Sequence, residues 1–186
     1  TRTYVEVKNT NQRTMLSIRL ISSADNHAMA HVIRTVMPEF SCVGEGFSIN
    51  DHEVEDMAST YNAEGSAFFV VAHEVGGAAG AGAGFSGAVV VGGAGYAPLA
   101  GGDGTVCELR KMYLLKEGRG FGGGRLLMEA CLEGARAAGY KQMYLETVTA
   151  MKDAAEVYKK CGFEYLAWPM GETGHGGCDL YMVRDL

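Results

Sequence analysis

The sequence has no long apolar run, no CxxC pair and no excess of positive charge. Each absence removes a class of protein. A membrane-spanning helix needs about 20 consecutive apolar residues, so no membrane role is expected. The N-terminal stretch from Thr1 to Thr14 is polar and has no signal-peptide core. The five cysteines (Cys42, Cys107, Cys131, Cys161 and Cys178) are odd in number and unpaired in spacing. A disulfide framework or zinc ribbon needs paired spacing, so the pattern fits a reduced, cytoplasmic protein. His175 and Cys178 lie three apart with no second ligand pair near them, so no metal is expected. The net charge is -6. A nucleic-acid binder that relies on phosphate contacts is normally basic, so no nucleic-acid partner is expected. An acidic surface can attract a cationic amine, and it serves solubility equally well.

What is present suits one domain over residues 1–186, since this length can bury a sizeable core. Met15–Ile21 alternates apolar and polar residues as a strand does. His27–Met37 reads as an amphipathic helix with Met29, Ile33 and Met37 on one stripe, ended by Pro38. A second helix is expected near Asp51–Tyr61 and a strand at Ala67–His73. Nine of the twenty residues from Gly76 to Gly95 are glycine, interrupted by Ala88-Val89-Val90-Val91. This predicts a hairpin with a flexible tip over 76–87. Further strands are expected at 106–115, 142–146, 163–166 and 180–184, with helices at 126–138 and 153–160. Residues 1–13 read as a disordered or loosely attached extension.

Lys116 to Gly124 joins a strand to a helix and includes Arg119-Gly120-Phe121-Gly122-Gly123-Gly124. Glycines let backbone approach a ligand closely, and the unpaired N–H groups at a helix start form an anion site. Arg119 and Arg125 can add charge-assisted hydrogen bonds. The loop therefore fits a pyrophosphate. It matches GxGxxG, the dinucleotide fingerprint, and Glu146 stands about where a ribose-binding acid belongs. Three features oppose that reading. The preceding strand carries Glu108, Arg110 and Lys111, where a central parallel strand would be apolar. Only 40 residues follow Glu146. Hairpin strands, and no further βαβ unit, precede the loop.

From Cys107 onward the chain resembles the GNAT superfamily of N-acetyltransferases. The residues that carry the resemblance are Cys107 to Leu115, the Arg-x-x-Gly-x-Gly of Arg119, Gly122 and Gly124, and Tyr144-Leu145-Glu146-Thr147. Ala154, Tyr158, Gly162 and Phe163 complete it as Ala-x-x-x-Tyr-x-x-x-Gly-Phe. The chain departs from the pattern at Met151, where many relatives have Asn. The resemblance implies an α/β fold with a mixed central sheet, splayed middle strands and flanking helices. It implies acetyl-CoA as cosubstrate, with pantetheine along Met112, Tyr113 and Leu114 and pyrophosphate at Gly120 to Gly124. It also implies transfer of acetyl by direct attack of a primary amine, on a small molecule or a protein.

Such an attack needs a neutral amine, and a lysine-like amine is only about 0.1% neutral near pH 7.4. Glu108 is the candidate base; pairing with Arg110 or Lys141 is the other role open to it. Tyr158 matches the general acid of many relatives, and a packed core tyrosine is its alternative. Glu146 and Thr147, on the facing strand, are candidates for the acceptor site. His175, in Gly174-His175-Gly176-Gly177-Cys178-Asp179, could shuttle protons or line that site. A Cys178–His175 nucleophile pair lacks a third orienting group. An acyl-CoA-binding sensor of the same fold and a nicotinamide-dependent oxidoreductase stay open, as does a homodimer.

Overall fold

The computed structural model describes residues 3–9, 12–75 and 87–186. Eight strands form one sheet in the order β1-β2-β3-β4-β5-β6-β8-β7. They are β1 (Thr3–Asn9), β2 (Gln12–Leu20), β3 (Ala67–Val75), β4 (Gly87–Pro98), β5 (Val106–Leu114), β6 (Gln142–Thr147), β7 (Glu164–Leu166) and β8 (Leu180–Asp185). Four helices join them: α1 (Asn26–Glu39), α2 (Met57–Thr60), α3 (Gly123–Ala137) and α4 (Lys152–Lys160). None of the described helices is long and apolar enough to cross a membrane.

Helices cover both faces of the sheet. α1 packs on β4 and β5, and α3 packs on β2 to β5 from the other side. The expected stripe of Met29, Ile33 and Met37 is buried, against Phe68, Val70 and Ala97. On α3 the buried face is Leu127, Met128, Cys131, Leu132 and Ala135. Leu126 and Ala130 are half-buried and Ala137 is exposed, so the helix is turned slightly from the orientation its pattern suggests.

Several expectations need correcting. Residues 3–9, read as a loose extension, pair antiparallel with β2 from Thr3↔Ile18 to Asn9↔Gln12. α1 runs one residue past Pro38. The helix expected at 51–61 is a 3-10 turn, His52–Glu55, followed by the single turn of α2. Asp56 divides them: its backbone is non-helical, and its carboxylate caps α2 by accepting from the Ser59 N–H at 3.3 Å. The tip predicted at 76–87 lies outside the described residues except for Gly87, which opens β4.

Among the described residues all strand pairs are antiparallel except one. That sheet is not the parallel, doubly wound one a dinucleotide fingerprint needs. The exception is β5 with β6, which pair at Val106↔Gln142, Cys107↔Met143 and Glu108↔Tyr144 and no further. Beyond Glu108 the two strands part. β5 also carries a bulge, because Lys111 and Met112 together oppose Ala94. Lys111 takes φ +52 there, a left-handed conformation that costs a non-glycine residue about 1–3 kcal/mol. The split and the bulge both fall in the middle of the sheet, and the candidate site is built around them.

Candidate active site

A groove of about 580 Å3 lies where β5 ends, between the glycine loop and the start of α4. Met112, Tyr113 and Leu114 form one wall, and Ala150 to Ala154 with Val157 and Tyr158 form the other. Gly118 to Gly120 and Gly122 to Arg125 close its end. Gly120 and Gly122 have φ of +80 and +81 and turn the chain into α3. A methyl group added at either would meet nothing within 4 Å, so backbone conformation and not packing selects glycine here. The first bond onto the helix runs from the Leu126 N–H to the Gly122 carbonyl. The amides of Gly123, Gly124 and Arg125 thus have no acceptor within the helix and form an anion site.

The side chains expected to assist are otherwise engaged. Arg119 donates through Nε to the Leu114 carbonyl at 2.9 Å and pairs with Glu39 at 3.0 Å. Arg125 pairs with Glu129 one turn along, at 2.7 Å. Phe121 does not line the groove. Its ring stands edge-on to His73, with centroids 5.6 Å apart, and anchors the loop to the sheet.

A second, smaller cavity lies in the gap between β5 and β6. Tyr158 lines both spaces. Its ring packs 6.0 Å from that of Phe163, and its hydroxyl has no hydrogen-bond partner among the described residues. Burial holds the phenol well above its ordinary value of 10, so it keeps its proton. Met151, which departs from the family pattern, also lines both spaces.

Charged groups surround the smaller cavity. Glu108 is 2% exposed. Its Oε2 accepts from Arg110 Nε at 2.6 Å, and its Oε1 lies 3.6 Å from His175 Nδ1. Burial alone would raise its pKa, but His175 and Arg110 outweigh burial and hold it below the usual carboxylate value. Glu108 is therefore no surface carboxylate, and it does pair with Arg110. His175 Nε2 lies 3.3 Å from Asp51 Oδ2. Asp51 and then Glu108 push the imidazole up to about 9, so it is cationic at neutral pH. Asp51 is itself held low: burial would raise it, and the hydrogen bonds from His175 and Lys111 prevail. Lys111 Nζ reaches Asp51 at 2.6 Å and Glu53 at 2.5 Å. Glu146 accepts from the hydroxyls of Tyr144 at 2.8 Å and Thr173 at 2.9 Å. Thr147 is buried beside it.

The structure brings Glu108, Glu146, Thr147, Tyr158 and His175 to one cavity. It gives no support to a Cys178–His175 pair. Both imidazole nitrogens face carboxylates, and burial pushes the Cys178 thiol up to about 12. Among the described residues no group of three or more His, Cys, Asp or Glu could hold a metal ion. Sequence reasoning missed Asp51, Glu53 and the structural roles of Arg110 and Lys111. One signal was available: Arg110 and Lys111 are adjacent charges in a strand, and they break its alternation at the bulge.

Residues 31–163 match the acetyltransferase (GNAT) family. The uncharacterized N-acetyltransferase YjgM of Escherichia coli is 36% identical over 170 residues, which are 91% of this chain and 94% of that protein. A GNAT-family acetyltransferase from Staphylococcus aureus Mu50 superposes with a TM-score of 0.70 at 16% identity, covering 91% of this chain and 98% of its own. A phosphinothricin acetyltransferase from Sinorhizobium meliloti, solved in complex with AcCoA, gives 0.69 at 20% identity, over 92% and 88% of the two chains.

Proposed function

Since this chain belongs to the acetyltransferase (GNAT) family, we propose that it moves an acetyl group from acetyl-CoA to a primary amine by direct attack. One observation carries the reading. Tyr158 stands where the large groove and the small charged cavity meet, in the gap that opens beyond Glu108. A donor bound along the groove and an acceptor in the cavity would meet beside its hydroxyl.

The groove fits the donor. Its volume, its apolar wall of Met112, Leu114 and Val157, and the helix-start amides suit an extended pantetheine arm ending in pyrophosphate. The exposed edge of β5 past Glu108 offers backbone groups to such an arm. Acetyl-CoA supplies an activated thioester. The residues of the chain do the rest. Arg119 and Arg125 can turn from Glu39 and Glu129 toward phosphate, since both side chains are partly exposed. Glu108 receives the proton that the amine nitrogen must lose, directly or through water. The new C–N bond replaces the C–S bond, and Tyr158 gives its proton to the departing thiolate. Glu146 and Thr147 border the acceptor.

Titration with acetyl-CoA by calorimetry tests the first half of this reading, and no binding at high micromolar concentration would refute it. Release of free thiol in the presence of an amine panel (polyamines, aminoglycosides, amino acids, peptide N-termini, lysine) tests the second half. Binding without release for every amine would leave an acyl-CoA-binding module in place of an enzyme.

A further inference from the structure

The roof over Glu108 has a cation built into it. His175 lies in the irregular stretch between β7 and β8 and reaches between two carboxylates, Asp51 at 3.3 Å and Glu108 at 3.6 Å. Its side chain is 16% exposed and lines the cavity. Few ties hold the stretch. The Gly177 N–H donates to the Gly46 carbonyl at 3.1 Å, the Glu172 N–H to Ala100 at 2.7 Å, and the Thr173 hydroxyl to Glu146 at 2.9 Å. A methyl group added at Gly174 or Gly176, on either side of His175, would meet nothing within 4 Å. The stretch is packed at its two ends, where a methyl group at Gly171 would clash with the Ala100 carbonyl oxygen and one at Gly177 would lie 2.6 Å from the Phe47 ring, so the open space is confined to the residues beside the imidazole.

The cavity beneath measures about 60 Å3. That is room for a few waters. Turning the imidazole aside would widen the space, and the group that would move carries positive charge. Two carboxylates, Glu108 and Glu146, line the space, and two more, Asp51 and Glu53, stand behind its cations. Arg110 and Lys111 supply two fixed cations, and His175 supplies the third. Removing His175 without replacement leaves the buried Glu108 and the half-buried Asp51 each short of a partner, which is costly above all for Glu108. A neutral acceptor would not repair this. An ammonium would, with three N–H donors in place of the imidazolium's two.

Resting on the acetyltransferase reading, we propose that His175 occupies the seat of the acceptor's ammonium group, and that acceptors are cationic amines which enter by displacing its side chain. His175 then determines specificity as a competitor of the substrate, and not as a base. The groups that face it are Asp51 and Glu108. Lys111 and Glu53 stand behind Asp51, Arg110 stands behind Glu108, Glu146 is linked through Thr173, and the Cys178 thiol lies beside them. His175 keeps its proton up to about pH 9, whereas an alkylammonium keeps its own to about 10.4. Between these values the acceptor is charged and the resident is not, so entry is easiest there.

The direct test is NMR of histidine-labelled protein without acetyl-CoA, with the His175 signal assigned by its loss in His175→Gln. The probes are n-butylamine and spermidine, with n-butanol as uncharged control. We expect both amines to shift the signal and lower its titration midpoint, and n-butanol to do neither. A signal unmoved by either amine at millimolar concentration overturns the proposal. Kinetics with the best amine of the panel give a second measure. The wild-type KM for amine should fall roughly tenfold or more between pH 7 and 9. It should be low at both values in His175→Gln and high at both in His175→Arg, with acetyl-CoA affinity equal in all three. If His175→Gln instead loses about 100-fold in kcat at unchanged KM, the residue carries protons and the proposal falls. If the signal shifts but no amine releases thiol, the acetyltransferase reading fails and the seat stands.

Discussion

Replacing Lys111 with methionine removes one ammonium and strands two carboxylates. Lys111 Nζ contacts Asp51 at 2.6 Å and Glu53 at 2.5 Å, and its side chain is 1% exposed. Methionine has nearly the same length and keeps the stem packed, so the loss isolates the charge. Breaking a buried pair by removing one partner costs about 3–5 kcal/mol. Asp51 and Glu53 retain 29% and 18% exposure, and Tyr61 still donates to Glu53 at 2.9 Å. Water and that phenol relieve part of the cost, which puts the expected loss near the low end, about 3 kcal/mol. For a chain of this size the midpoint of thermal unfolding should drop by roughly 6–12 °C. Urea unfolding of Lys111→Met against wild type reads the loss directly. Adding Glu53→Gln to Lys111→Met should restore about 1 kcal/mol or more, because one stranded charge disappears. A loss below about 1 kcal/mol, the value of an exposed pair, would refute the reasoning. It would mean that the bulge and the 51–55 turn are held together by packing and not by this ammonium.

Three further outcomes follow from the same geometry. Stability should fall on the alkaline side through His175, whose pKa is raised from 6.5 to about 9; the contribution is complete below pH 6.5 and lost as pH rises through 9. Its ceiling is about 3 kcal/mol, so thermal melts should fall more steeply between pH 6.5 and 9 in wild type than in His175→Gln, where the buried thiols still titrate. Equal slopes would remove the ion pairs from the account. Tyr158→Phe should cut turnover by about 100-fold or more while calorimetry finds acetyl-CoA affinity within about twofold; unchanged turnover would leave Tyr158 as a packing residue only. Gly122→Ala meets no neighbour but must adopt φ +81, so it should cost about 1–2 kcal/mol in urea unfolding and weaken acetyl-CoA binding. An unchanged midpoint would show that the turn into α3 relaxes freely.

Much of the fold was legible because periodicity reports which face a residue buries. Met29, Ile33 and Met37 and the alternation of Met15–Ile21 each predicted an element that is present. Residues 51–61 misled because the helical pattern there ignores what the carboxylates do. Asp56 caps a new turn, while Asp51 and Glu53 reach a lysine on β5. The strand at 3–9 was missed although Val5 and Val7 alternate with Glu6 and Lys8, because so short an alternation does not name its partner, and an edge strand is defined by backbone pairing to its neighbour.

The sequence by itself determined the glycine loop, the helix it opens and the tyrosine downstream. Each of these is a local requirement of backbone angle or of spacing along one segment. Only the tertiary structure decided the charge pattern of the site. Asp51, Glu108 and His175 are far apart in the chain, and they meet because β5 and β6 separate beyond Glu108 and the loop before β8 folds across the opening. Whether a carboxylate is a lone base or one end of an ion pair depends on distances of a few ångströms between remote segments. No local pattern encodes those distances.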